Sequence, residues 1–315
     1  MIRNSSLIAV ALLLAYHFSY PGIPKKFYRL NGLQRTNYDR AQKYLFGSGV
    51  EQHVIVGSSM SWELNSRILG SDWRKLTFPG CSILTALEIM RRSDKYPAVL
   101  LIETNQCFWD ANEDLLNDLF NPATAPLRRH SRIFLEEGRP SNFVAGLAEA
   151  CVRDTCRLGT DLLGKGGSTA QANPEAGLSP ELFAQVVALQ QEEFASLVPP
   201  APLHERIHRM GQYVDEFRRK GGICILFEMP IDSTLTDLRM PVTVRTAMRE
   251  RFPANRDHWL TFDLTHHCRT RDGIHLERAE ADRLTELMLR QVNKFVGQSV
   301  PLVTTSPPDS VDNGR

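Results

Sequence analysis

Five short apolar runs separated by stretches of helical character limit the fold of this chain more than any other feature. They are 53–57 (HVIVG), 75–78 (KLTF), 98–103 (AVLLIE), 223–228 (ICILFE) and 259–263 (WLTFD). Each is too short for a helix, and in 53–57, 98–103 and 223–228 the apolar residues are consecutive rather than alternating, which predicts strands buried on both faces. Between them, 82–92 (SILTALEIMRR), 203–220 and 277–295 carry apolar residues at helical spacing, and Gly221-Gly222 supplies a stop for the second of these. Strands alternating with helices predict an α/β fold, a three-layer sandwich around a central parallel sheet of flavodoxin-like type.

Domain organisation follows from what this pattern leaves over. The stretch from 110 to 200 is too long for a simple crossover and predicts a helical insertion, with helices over 142–163 and 180–198. Ser179 is the expected N-cap of the second, with Pro180 in its first turn. The glycine-rich 164–178 between them reads as a loop, and 297–315 as a disordered tail, so the globular domain covers 45–296. At the front, residues 7–20 are apolar apart from His17 and Ser19. Fourteen helical residues cover ~21 Å, and with its flanks the segment 1–22 is expected to be an uncleaved signal anchor holding the domain at the extracytoplasmic face of a membrane. Lys25, Lys26 and Arg29 on its far side point to the opposite orientation. A formal net charge of +1 over 315 residues gives no electrostatic case for nucleic acid as a partner. The six cysteines contain no C-x-x-C pair, and Cys151 and Cys156 are spaced so that a bridge between them is open.

Chemistry-bearing residues gather at the ends of the expected strands, where open α/β sheets bind their ligands. The first strand runs into Gly57-Ser58-Ser59-Met60-Ser61, hydroxyls on a strand-to-helix turn. The second leads to Pro79-Gly80-Cys81-Ser82, a glycine whose bare backbone N–H can approach a ligand. The third leads to Glu103-Thr104-Asn105-Gln106, which offers a side-chain amide, suitable with a backbone donor for a developing oxyanion. Far downstream, Asp272-Gly273-Ile274-His275 sits just before the closing helix, at a spacing that lets the carboxylate orient the imidazole. Taken singly, each has a plainer reading as a cap, a turn or a surface residue.

In this order the four segments resemble the conserved blocks of the SGNH (GDSL-like) hydrolase superfamily, over about 53–296 with the insertion unmatched. The resemblance implies Ser59 as nucleophile, His275 as base and Asp272 as its partner. It also implies an oxyanion hole from the N–H groups of Ser59 and Gly80 and the amide of Asn105. Three positions in two blocks depart from the family pattern: Ser58 stands where the usual aspartate is found, and E-T-N-Q replaces G-x-N-D. The G-S-S form is similar to membrane-anchored envelope relatives that transfer acyl groups, such as the alginate O-acetylation and teichoic acid D-alanyl transfer proteins. The implied function is serine-dependent acyl-ester hydrolysis or O-acyl transfer on a cell-envelope or exopolysaccharide carbohydrate, with no metal or cofactor and with an envelope biosynthesis complex as a possible setting. A non-catalytic glycan-binding protein on a degenerate scaffold is the alternative. A rival motif, His204-Glu205-Arg206-Ile207-His208, matches H-E-x-x-H, which on a helix binds zinc. Arg206 and Arg209 place cations beside that site, and Val214 stands where a third histidine would complete the extended form. His258, His266, His267 and Cys268 cluster without regular ligand spacing. Trp62, Phe108 and Trp109 follow two of the site segments and suit either a pocket lining or the core.

Overall fold

The computed structural model describes residues 2–24, 32–47, 49, 52–162, 178–196, 199–262 and 268–299. Helices α1 (Ile2–Ser19) and α2 (Leu33–Phe46) precede strand β1 (His53–Gly57), which is followed by α3 (Ser59–Trp62), α4 (Ser66–Leu69), β2 (Trp73–Thr77), α5 (Ile83–Ser93) and β3 (Val99–Glu103). Helices α6 (Glu113–Leu119), α7 (Ala125–His130), α8 (Pro140–Leu162), α9 (Pro180–Ala195) and α10 (Pro200–Arg219) lead to β4 (Ile223–Phe227). Then come α11 (Ser233–Thr236), α12 (Arg239–Arg251), β5 (His258–Trp259) and α13 (Arg278–Ser299).

The five strands form one all-parallel sheet in the order β2-β1-β3-β4-β5. Alternate residues of each strand feed two different cores. Val54, Val56, Leu100, Ile102, Cys224 and Leu226 pack with α2, α5, α10 and α12. Ile55, Val99, Leu101, Ile225 and Phe227 pack on the other face with α3, α4 and α13. Helices therefore cover both faces, which is why the strands read as continuous apolar runs. The chain leaves β1 toward β2 and later leaves β3 toward β4, so the order reverses between β1 and β3. That reversal is the topological switch point at which open α/β sheets bind ligands.

The expected elements form, with shifts at the edges. Strand β2 starts at Trp73 rather than 75, and the expected fifth strand, 259–263, shortens to His258–Trp259, paired with β4 alone. Ser179 caps α9 as expected, its Oγ accepting from Leu182 N at 3.3 Å. Helix α13 runs through Ser299, into the stretch expected to be a tail. The rest of that tail, most of the 164–178 loop, Lys25, Lys26, Arg29, His266 and His267 lie outside the described residues. Two core helices were not anticipated. Helix α2 turns Asn37, Asp39 and Gln42 inward beside Ala41, Tyr44 and Leu45, so no apolar stripe marks it. Helix α12 carries Pro241 in its first turn, a breaker signal in sequence. Cys151 is exposed on α8, and the side chain of Cys156 lies outside what the structure describes, so a bridge between them stays open.

Helix α1 spans ~27 Å at ~1.5 Å per residue, and among the described residues no helix is long and apolar enough to cross a membrane. Its far end is docked: Tyr16 Oη donates to Gly138 O at 3.1 Å, and His17 Nδ1 lies 2.9 Å from Ser131 Oγ. Ile8, Leu12, Leu14 and Phe18 stay exposed.

Candidate active site

The sequence G-S-S-M-S folds as a strand end followed by one helical turn, and the hydrogen bonds there sort its three serines. Ser58 is fully buried, and its Oγ donates to Glu103 Oε1 at 2.6 Å while accepting from Met60 N at 3.2 Å. Ser61 is also fully buried, with its Oγ 3.4 Å from Ser58 O. Ser59 alone is half-buried, and among the described residues neither its Oγ nor its N–H makes a hydrogen bond. A helix start leaves its first N–H groups without helical partners. Here Ser58 N and Ser61 N go to Glu103 Oε2, at 2.9 and 3.1 Å, and Met60 N goes to Ser58. The Ser59 N–H remains as an open donor on this turn, beside an open hydroxyl.

Glu103 is 0 % exposed at the end of β3, so a carboxylate lies at the centre of the site where sequence reasoning saw only a departure from a family block. Two of the departures, Ser58 and Glu103, are in contact. Gly57 makes room for this packing: a Cβ there would fall 2.0 Å from Ser61 Oγ and 2.5 Å from Glu103 Oε2.

Asn105 stands two residues beyond Glu103. Its Oδ1 accepts from Met229 N at 2.7 Å and its Nδ2 donates to Met229 O at 2.9 Å. Because a backbone N–H can only donate, this pair fixes which way the amide faces and leaves one Nδ2 hydrogen for a ligand. Gly80 lies on the same sheet edge, since Phe78 N donates to Gly57 O at 2.9 Å. It is exposed with φ +72°, a left-handed conformation that glycine adopts without a side-chain clash. The N–H of Gly80 meets no acceptor among the described residues.

The Asp272–His275 segment is a tight loop closed by the Thr270–Leu276 bridge, with Arg271 N donating to His275 O at 2.7 Å and Gly273 at φ +93°. Asp272 Oδ2 lies 2.6 Å from His275 Nδ1, and Asp272 Oδ1 accepts from His275 N at 2.8 Å. Burial alone would raise the Asp272 pKa, but the hydrogen bonds from the His275 side chain and backbone outweigh it and hold the carboxyl below its ordinary value. An ionised carboxylate only accepts, so His275 carries its proton on Nδ1 and presents Nε2 as a base.

Three contacts bring this loop to the serine turn and the sheet edge. Arg271 pairs with Glu63, just past α3, at 2.5 Å; Asp232 N, after β4, donates to Gly273 O at 2.8 Å; and Asn65 bonds Asp282 and Thr285 of α13 at 2.6 and 3.0 Å. Ser59, Gly80, Asn105, Asp272 and His275 thus share one edge of the molecule. The Asp–His pair is formed, whereas no hydrogen bond joins Ser59 Oγ to His275 among the described residues.

Past the ends of β3 and β4 lies a cleft walled by Met60, Asn105, Phe108, Phe194, Ile231, Met240 and Val244. The Glu228–Arg245 pair, 2.6 to 3.1 Å apart, adds the charged part of its wall. Phe108 therefore serves as lining. Trp62 instead stacks under Arg40, 3.5 Å from the guanidinium, and Trp109 borders a separate open hollow next to Gly80.

The H-E-x-x-H residues lie elsewhere. His204, Glu205 and His208 are exposed on α10, and Arg206 between them is tied to Phe108 O and Asp110 at 2.7 and 2.6 Å. Among the described residues no group of three or more His, Cys, Asp or Glu is arranged to hold a metal ion. The chain was compared with protein-family models, with curated proteins and with solved structures, and none of them matches it.

Proposed function

We propose that this protein is an SGNH-type serine esterase or O-acyltransferase that works through an acyl-enzyme on Ser59. The observation that carries this reading is the sorting of the serine turn. Of three neighbouring hydroxyls, the one left free is also the one whose own N–H is free, on the sheet edge that holds an oriented Asp–His pair. In the reaction, Ser59 Oγ attacks an ester carbonyl while His275 Nε2 takes its proton, and Asp272 stabilises the resulting imidazolium. The carbonyl oxygen gains the negative charge and is received by the Ser59 and Gly80 N–H groups and the spare Asn105 hydrogen. His275 then protonates the leaving alcohol, and water or an acceptor hydroxyl attacks the acyl-enzyme by the reverse path. The similarity of the G-S-S block to envelope acyl-transfer proteins makes an O-acylated carbohydrate the proposed substrate. The exposed apolar residues of α1 support attachment to a membrane, and the extracytoplasmic side is proposed only from the similarity to envelope acyl-transfer proteins.

One observation favours a second reading, glycan binding without turnover: the missing Ser59–His275 hydrogen bond. Intact-mass labelling with a fluorophosphonate separates the two. Wild type is expected to gain one adduct, as an Oγ–P bond forms and fluoride leaves, while Ser59→Ala and His275→Ala stay unlabelled. A folded wild type that takes up no probe would leave the binding protein as the better account.

A further inference from the structure

We propose that Glu103 is the positioning residue of the nucleophile: its buried carboxylate holds Ser58 and Ser61 so that Ser59 alone faces the substrate. This rests on the reading of Ser59 as nucleophile and adds to it a residue outside the triad and the oxyanion hole.

The geometry is specific. One carboxylate, fully buried at the end of β3, accepts from the residue before Ser59 through both its N–H and its hydroxyl, and from the residue two positions after it. Both ends of the one-turn segment carrying Ser59 are thereby pinned to the neighbouring strand. Charge-assisted hydrogen bonds to an ionised acceptor are about twice as strong as neutral ones, which suits a segment too short to hold its own shape. Among the described residues no cation pairs with Glu103, so three donors from the serine turn are its stabilising partners. A carboxylate buried without them would cost several kcal/mol. A turn that needed only capping could obtain it from Ser58, whose Oγ already accepts from Met60 N. The carboxylate adds two things: it consumes both donors of Ser58 and the N–H of Ser61, and it fixes the angle at which Ser59 leaves the sheet. Placement errors of about 1 Å at a reacting group cost roughly 10²-fold in rate.

The test is Glu103→Gln, which keeps the shape but turns an NH₂ group toward donors that need an acceptor. The rate constant of fluorophosphonate labelling is measured against pH, at a temperature where circular dichroism shows the variant fully folded. Labelling is expected to fall about 10²-fold at every pH, with the midpoint of the pH profile unmoved because the Asp272–His275 pair is untouched. A role in folding alone predicts that the folded variant labels at the wild-type rate, and that result would overturn the proposal. If Glu103→Gln does not fold, Ser58→Asp/Glu103→Gly is used, which supplies the carboxylate from the opposite side of the 2.6 Å contact. Labelling within about tenfold of wild type then supports the proposal, and a folded double variant slower than that by 10²-fold or more overturns it. Failure of the underlying reading looks different, because wild type itself would then take up no probe.

Discussion

Asn105 shows how a single side chain can be committed on one side and open on the other. Its two bonds to the Met229 backbone bridge the ends of β3 and β4 and leave one amide hydrogen over. Asn105→Ala should therefore lower acyl-transfer turnover by ~10²–10³-fold, the usual cost of one oxyanion donor. The KM for the same ester should change much less, since the lost bond strengthens only as charge develops; an equal loss in KM alone would mean that Asn105 binds substrate instead. Ser59, Gly80 and Asn105 stand out in the sequence because each sits in a short local pattern at a strand end, and Asp272 and His275 because of their spacing just before the closing helix. Glu103 does not, for a physical reason. Its function exists only through contact with Ser58 and Ser61, more than forty positions away, and a lone glutamate ending an apolar strand carries no local signal. The one clue was that positions 58 and 103 departed from the family blocks together.

At the scale of elements, α5 and α10 are joined through a carboxylate set into their interface. Glu88 on α5, with a side chain 7 % exposed, bonds Arg91 at 2.7 Å, Arg92 at 2.6 Å and the Tyr213 hydroxyl of α10. Burial would raise its pKa, but the hydrogen bonds from Arg91, Tyr213 and Arg92 prevail and hold it down to about 2, against 4.5 for a free glutamate. Because the folded value is the lower one, the unfolded chain binds the extra proton, and stability falls as pH drops from about 4.5 toward 2. The shift corresponds to roughly 3 kcal/mol at neutral pH. Urea unfolding of Glu88→Gln should show a deficit of about that size at pH 7, shrinking to roughly 1 kcal/mol at pH 3. A deficit that does not change with pH would place the cost in packing instead. The central strands were legible because burial on both faces writes itself as consecutive apolar residues. The edges were less so: β2 begins with Trp73 and Arg74, which are only half-buried, and β5 is two residues long, too short to write a pattern.

For the molecule as a whole, the insertion between β3 and β4 reaches the site through α9. Val187, its buried residue, lies over the Asp272–His275 loop, where a Cβ added to Gly273 would come within 3.4 Å of Val187 Cγ2. Phe194 reaches the wall of the cleft, while Leu182 and Leu189 stay exposed. The sequence announces this helix by its Ser179-Pro180 start, but it docks through Val187 and Phe194 against α11, α12 and the Gly273 loop, dozens of positions on, which no periodicity encodes. A helix held by so little apolar surface should open far more readily than the sheet, since burial contributes only ~25 cal/mol per Å². Strands β1 and β3 are covered on both faces and should open only with global unfolding. Native-state hydrogen exchange is therefore expected to show the amides of 180–195 exchanging at least about 10²-fold faster than those of 53–57 and 99–103. Val187→Ala should widen the difference without lowering the melting temperature of the sheet by more than a few degrees, since it removes contacts that only α9 makes. Equal protection of α9 and β1 would mean that the insertion is an integral part of the core, and that the Asp272–His275 loop is permanently covered rather than approached through a helix that lifts.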